Sequence, residues 1–284
     1  MSDKIRRVLM IILACVFVVS ACVFGKSFLE YRKGDQIYET AKGFLVEADT
    51  PVTDEELLPG QRTYKDIDFA GMQAVNEDVI GWIQIYDTPV DYPVLDAEDN
   101  KYYLNHTYDR QWSSYGSIFL EHRNNPDWSE KHLVVYGHNM VNNSMFGSLL
   151  EYKNQAYLEK HPMITICLPD RDLTYQIFSA YTAHVDSPTY YMTFDWEGQF
   201  QQMIDHMTKN SLIQSDAVPG AEDQILTLST CTPAGAKKYR FVVNAVLVED
   251  SRITEEEQTK YTDAVLNKIL QDKIAMEEQS ASEN

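Results

Sequence analysis

The sequence predicts a mainly β fold with helical additions, built as a closed or nearly closed β-barrel of seven to eight strands. One observation is a series of short runs rich in Val, Ile, Leu, Tyr and Phe between residues 79 and 248, bounded by Gly, Pro, Asn, Asp or Ser. A second is the scarcity of helical periodicity in the same span. Only Met145–Leu158 and Phe200–Asn210 offer it, too little for the regular alternation of strand and helix in a βαβ sheet. A third is size, since 284 residues with 44% hydrophobic side chains can bury a substantial core.

At the N-terminus Val8–Phe24 is apolar over seventeen residues except for Ser20, with Lys4, Arg6 and Arg7 before it and Lys26 after it. That length is short for a membrane-spanning helix but long for the core of a cleaved signal peptide. The preceding basic residues favour a cytoplasmic N-terminus and place the chain beyond Lys26 outside the cell. Residues 1–26 are therefore expected to form a cytoplasmic stub and an uncleaved signal anchor. Lipoprotein processing is a second route to the same surface, because Val19-Ser20-Ala21-Cys22 resembles a lipobox and would leave Cys22 acylated.

Residues 27–65 mix Phe28, Tyr31, Ile37, Tyr38, Phe44 and Leu45 with an acidic patch, Pro51 and Pro59. That pattern predicts an interrupted helix followed by a looser linker. The globular part, residues 66–250, opens with Phe69, Met72 and Val75 at helical spacing, a short helix leading into the first barrel strand. Strands are expected at Val79–Tyr86, Val90–Leu95, Gly116–Glu121, His132–Tyr136, Met163–Leu168, Leu173–Val185, Ile225–Thr230 and Tyr239–Val248. The helical stretch Phe200–Asn210 puts Phe200, Met203, Ile204 and Met207 on one face. In residues 251–284, Thr254 and Glu257 form a capping-box pattern ahead of a stripe of Tyr261, Val265, Leu266, Ile269 and Leu270. An amphipathic helix to Met276 and an acidic tail follow from it.

Twenty-four basic against 43 acidic residues leave a formal charge of −19. Such a chain repels phosphate backbones, so no nucleic-acid partner is expected. The four cysteines, at 15, 22, 167 and 231, contain no C-x-x-C spacing and suggest neither a zinc site nor a disulfide framework. No carboxylate cluster reads as a calcium site, and no metal or cofactor is expected.

The candidate chemistry lies in Ile225–Val248, two β-rich runs joined by a loop of Thr, Pro, Ala, Gly and Lys. Cys231 stands where the first run ends and Arg240 where the second begins, so neighbouring strands would project both from one end of a sheet. A thiol is a nucleophile only as its thiolate and needs a proton-handling partner. His138, in V-V-Y-G-H-N-M, also follows a β-rich run and a glycine, and none of His106, His122, His132, His161, His184 and His206 is so placed. Arg240 adds a permanent charge and a donor fork suited to an oxyanion. Together the three suffice for acyl transfer through a thioester. Taken singly, each has an ordinary structural reading, Cys231 as a buried strand thiol and Arg240 as the partner of a surface acid.

T-L-S-T-C at Thr227–Cys231, an arginine opening the next strand at Arg240, and Y-G-H at Tyr136–His138 resemble the signature of the sortases, cysteine transpeptidases of the Gram-positive cell surface. V-I-G-W-I at Val79–Ile83, D-Y-P-V at Asp91–Val94, Y-L-N at Tyr103–Asn105, G-S-I-F-L-E-H-R-N at Gly116–Asn124 and M-F at Met145–Phe146 are similar to class B in particular. The resemblance covers residues 66 to 248. It implies a sortase-like barrel with N-terminal helices and a helix between the sixth and seventh barrel strands at Phe200–Asn210; the C-terminal helix read from the residues after Val248 is more than the basic domain needs. It also implies His138, Cys231 and Arg240 as catalytic residues, no cofactor, and substrate contacts from Asn105, Ser229, Tyr190 and Tyr191 along a groove walled by the Phe200–Asn210 helix. The implied partners are secreted proteins bearing a C-terminal sorting motif, often of the N-P-x-T-x type, and an amine acceptor on a peptidoglycan precursor or a pilin lysine. Thr232 and Pro233 stand where an acidic residue commonly follows the cysteine, a departure that bears on acceptor or substrate preference.

Two other classes fit some of these residues. In a papain-like hydrolase the cysteine precedes the histidine and opens a helix, whereas here His138 comes first and Cys231 closes a strand. A membrane-tethered binding protein with an inactive site would leave Cys231 unreactive toward a sorting-motif analogue.

Overall fold

The computed structural model describes residues 3–47, 64–232 and 237–251. The expected linker within residues 48–63, most of the loop after Cys231 and the expected helix at 254–276 lie outside the described residues.

The chain begins with a single 40-residue helix, α1 (Asp3–Lys42), about 60 Å long at 1.5 Å per residue. The interrupted helix expected after residue 27 is instead continuous with the apolar N-terminal run. No proline occurs before Pro51, so nothing in the covalent chain forces a break. Tyr31, Gly34, Ile37, Tyr38 and Ala41 recur on one face at helical spacing, and Ile37, Tyr38 and Ala41 are buried against the barrel. Gly34 is required there, since a Cβ would lie 2.6 Å from the ring of Tyr115. The Tyr115 hydroxyl donates to Asp35 at 2.6 Å, and the Tyr38 hydroxyl donates to the Gly116 carbonyl. The N-terminal half of α1 leaves Leu13, Phe17 and Val19 exposed, a helix long and apolar enough to cross a membrane.

After α1, β1 (Leu45–Glu47) pairs antiparallel with β2 (Tyr64–Ile67). Helix α2 (Phe69–Val75) follows, its N-terminus capped by the Asp68 side chain, which accepts from Gly71 N. The barrel strands are β3 (Val79–Gln84), β4 (Asp91–Leu95), β5 (Ile118–Leu120), β6 (His132–Tyr136), β7 (Met163–Cys167), β8 (Asp172–His184), β9 (Ile225–Cys231) and β10 (Tyr239–Asp250). They close in the order β10-β8-β7-β3-β4-β5-β6-β9, with β9 returning to β10. The pairs β4/β5 and β6/β9 are parallel and the others antiparallel. The expected eight-stranded alternative is thus the one adopted, and closure removes the open sheet edges that invite aggregation.

The strands lack clean alternation because both faces are covered. Trp82, Phe119, Tyr175 and Phe241 are among the largest fully buried side chains. On the outside, α4 (Gln199–Lys209) lays Phe200, Met203, Ile204 and Met207 in one buried cluster with Phe178 and Tyr181 of β8 and Val242 and Val246 of β10. This is the helix expected at Phe200–Asn210, between the sixth and seventh barrel strands. The stretch Met145–Leu158 divides into a 3-10 helix, Gly147–Lys153, and α3 (Gln155–Lys160). The break falls at Asn154, whose side chain accepts from Ala156 N at 3.1 Å and so starts a new helix.

Candidate active site

Strand direction brings the chemistry together. β6 and β9 run parallel, with Tyr136 opposite Ser229, so both strands end at the same rim of the barrel. Cys231 is the last residue of β9 and His138 lies two residues beyond β6. β10 runs back antiparallel to β9 and places Arg240 directly opposite Cys231. His138, Cys231 and Arg240 line one cavity of about 330 Å³, together with Asn100, Leu104, Glu121, Arg123, Tyr136, Tyr190 and Ser229. Cys167, by contrast, is buried in the barrel.

Backbone and side-chain hydrogen bonds hold the two strand ends together. Gly137 N donates to the Ser229 carbonyl at 3.2 Å, Thr230 Oγ1 to the Gly137 carbonyl at 2.8 Å, and Asn139 Nδ2 to the Cys231 carbonyl at 2.9 Å. Gly137 has no room for a side chain, since a Cβ would sit 2.7 Å from the Phe146 ring. That close approach lets the chain turn at once from β6 into the His138 segment. His138 Nε2 lies 2.5 Å from the Leu104 carbonyl. With the proton on Nε2 the ring donates to that carbonyl and leaves Nδ1 as the acceptor. Arg240 Nη1 donates to the Tyr239 carbonyl at 3.0 Å.

The loop between β4 and β5 supplies one wall. Asp99 Oδ1 accepts from Lys101 N and Tyr102 N, each at 2.9 Å, which starts the 3-10 turn Tyr102–Leu104 and sets Asn100 and Leu104 at the cavity. Val185 and Tyr190, from the segment between β8 and α4, also line the cavity. The Tyr190 and Ser229 hydroxyls lie 2.9 Å apart. Burial pushes the Tyr190 phenol up to about 12, against the opposing pull of its Ser229 hydrogen bond and Arg240, so it remains a neutral hydroxyl.

Of the substrate contacts expected from resemblance, Ser229 and Tyr190 line the cavity and Asn105 and Tyr191 do not. Asn105 caps the 3-10 turn and its carbonyl accepts from Ser113 N at 3.0 Å. The Tyr191 carbonyl bonds Nδ1 of buried His132 at 2.8 Å. Helix α4 contributes no cavity-lining residue; it packs behind β8 and β10. Asn100, Glu121, Arg123 and Tyr136 were not singled out by sequence reasoning, although Glu121, Arg123 and Tyr136 lie inside stretches that carry the resemblance. Among the described residues no group of three or more His, Cys, Asp or Glu side chains could hold a metal ion.

A barrel-rim thiol sharing a cavity with an imidazole and a guanidinium defines the equipment of a cysteine acyl-transfer enzyme. The Sortase domain family model matches residues 83–248. Sortase B of Listeria monocytogenes serovar 1/2a is 31% identical over 235 residues, covering 82% of this chain and 92% of that protein. Sortase B of Staphylococcus aureus is 33% identical over 184 residues, covering 64% and 75%. Among solved structures, Bacillus anthracis sortase B in complex with AAEK1 superposes with a TM-score of 0.64 at 29% identity, over 78% of this chain and 98% of that one. The Staphylococcus aureus sortase B–substrate complex gives 0.60 at 33% identity, over 63% and 83%. The chain belongs to the sortase family, and within it to class B. It is a cysteine transpeptidase.

Proposed function

We propose that this transpeptidase cleaves a C-terminal sorting motif of secreted proteins at a threonine and transfers the acyl group to an amine of a cell-wall precursor. The single observation that carries the reading is the convergence of Cys231, His138 and Arg240 on one cavity. The Cys231 thiolate attacks the threonine carbonyl carbon, a C–S bond forms, and the carbonyl electron pair moves onto oxygen beside Arg240. Collapse breaks the C–N bond, and His138 as imidazolium gives its proton to the departing amine. The acceptor amine then attacks the thioester and loses a proton to His138. The C–S bond breaks and the thiolate returns, so protons and electrons balance over the cycle.

Two findings about relatives support the choice of substrates. The Staphylococcus aureus enzyme was solved as a substrate complex, and a sortase B was solved with triglycine, a peptide amine. The apolar part of α1 supports attachment to the cell membrane with the barrel outside the cell, because the basic residues precede the apolar run. Cys22, exposed on that helix, offers lipidation as the other form of tether. The test is mass spectrometry of products from an N-P-x-T-x peptide library offered triglycine and a lysine peptide as amines. Acyl transfer to an amine is the expected result. Free acid as the sole product in abundant amine would overturn the reading in favour of a hydrolase.

A further inference from the structure

Glu121 follows β5 at the cavity wall and is only 1% exposed. A carboxylate in that position is costly unless every acceptor site is occupied. Oε2 accepts from Asn100 Nδ2 at 2.8 Å and from the Tyr136 hydroxyl at 2.9 Å, and Oε1 accepts from Arg123 Nε at 2.8 Å. Asn100, Tyr136 and Arg123 come from three different segments: the β4–β5 loop, the end of β6 and the chain after β5. All three line the same cavity as Cys231. Asn100 is held from its other side as well, its Oδ1 accepting from His122 N at 3.0 Å. Burial by itself would raise the Glu121 pKa, but the hydrogen bonds from Arg123, Tyr136 and Asn100 outweigh it and hold the carboxyl below its ordinary value.

We infer that Glu121 is a positioning residue for substrate binding: one buried carboxylate fixes Asn100, Tyr136 and Arg123 as the polar wall of the cavity that receives the sorting peptide. The inference rests on the transpeptidase reading above. Arg123 is the side chain that most needs such a holder, because it is 52% exposed and a free guanidinium samples many rotamers. With Nε tied to Glu121, the remaining N–H donors form a planar fork held at the cavity wall. Such a fork and the Asn100 amide suit the carbonyl oxygens of an extended polar peptide. None of the hydrogen bonds that hold this wall involves the Cys231 thiol, so the expected action of Glu121 is on binding rather than on the intrinsic reactivity of the nucleophile.

The test compares wild-type enzyme with Glu121→Gln, using the peptide of the N-P-x-T-x library that the wild type turns over fastest and triglycine as amine. Rates are normalised to folded enzyme by the folded fraction read from each variant's urea-unfolding curve. In Glu121→Gln an NH₂ group faces donors that need an acceptor, so KM for the peptide is expected to rise about tenfold, more than any fall in kcat. The iodoacetamide rate constant at Cys231 is expected to stay unchanged, and Glu121→Asp, which keeps the charge, to recover part of the affinity. Arg123→Ala should also raise KM, and the double variant should fall short of the product of the two single effects. A KM within twofold of wild type in Glu121→Gln, whatever happens to kcat or melting temperature, overturns the inference. If Glu121→Gln does not fold, Asn100→Ala and Arg123→Ala decide, and an unmoved KM in both overturns it equally. A wild-type enzyme inert on the whole library contradicts the transpeptidase reading instead.

Discussion

Arg240 owes its place to one register position, opposite Cys231 on the neighbouring antiparallel strand. A lysine there would keep the charge but lose the planar fork, which an oxyanion flanked by a peptide backbone can use with two donors. Arg240→Lys is therefore expected to lower kcat/KM by about a hundredfold, measured with sorting peptide and triglycine; near-wild-type rates would mean the arginine is structural. The sequence pointed to this residue and to His138 and Cys231 because each ends or opens a β-rich run. The resemblance pointed to Asn105 and not to Asn100, since which asparagine faces the cavity depends on the turn that Asp99 starts by accepting from Lys101 N and Tyr102 N. Glu121 is not legible in the sequence for a similar reason. A glutamate at the end of a strand ordinarily reads as a solvated residue, and its burial depends on donors that converge from three separate segments.

At the level of elements, every barrel strand was legible as a β-rich run, and β6 was legible residue for residue. The parallel pairing of β6 with β9 was not, although it is what brings His138 to Cys231, because hydrophobic pattern carries no information about strand partners. The continuity of α1 was missed because its composition changes from apolar to mixed after residue 26 while its helical spacing does not. Helix α4 was legible from a four-residue apolar face, and that face is its attachment to β8 and β10. Met207, fully buried there, makes the attachment measurable. Met207→Ala is expected to reduce the free energy of unfolding by about 2–5 kcal/mol in urea titrations, and a loss below about 1 kcal/mol would indicate that the helix can repack around the gap.

For the molecule as a whole, stability is expected to fall in mild acid. His132 is buried between the Tyr191 carbonyl and Thr227 Oγ1, and burial pushes its pKa down from 6.5 to about 4. Between those values the unfolded chain binds a proton that the folded chain does not, so stability rises with pH across that window and is lost as pH falls through it. The loss is on the order of 3 kcal/mol, to be read from urea unfolding at pH 7.5 and pH 4.5; equal stability at both would contradict it. The fold class was legible from local runs and the shared strand ends of Cys231, His138 and Arg240 from their positions, their catalytic roles being what the resemblance implies, whereas the cavity wall and the docking of α1 needed the closed barrel. Cys231 is expected to carry the acyl group between donor and acceptor. The most direct measurement is mass spectrometry of enzyme incubated with sorting peptide and no amine, then digested. An acyl adduct is expected on the Cys231 peptide and absent in Cys231→Ala. An adduct on Cys167, or undiminished transpeptidation by Cys231→Ala, would contradict it.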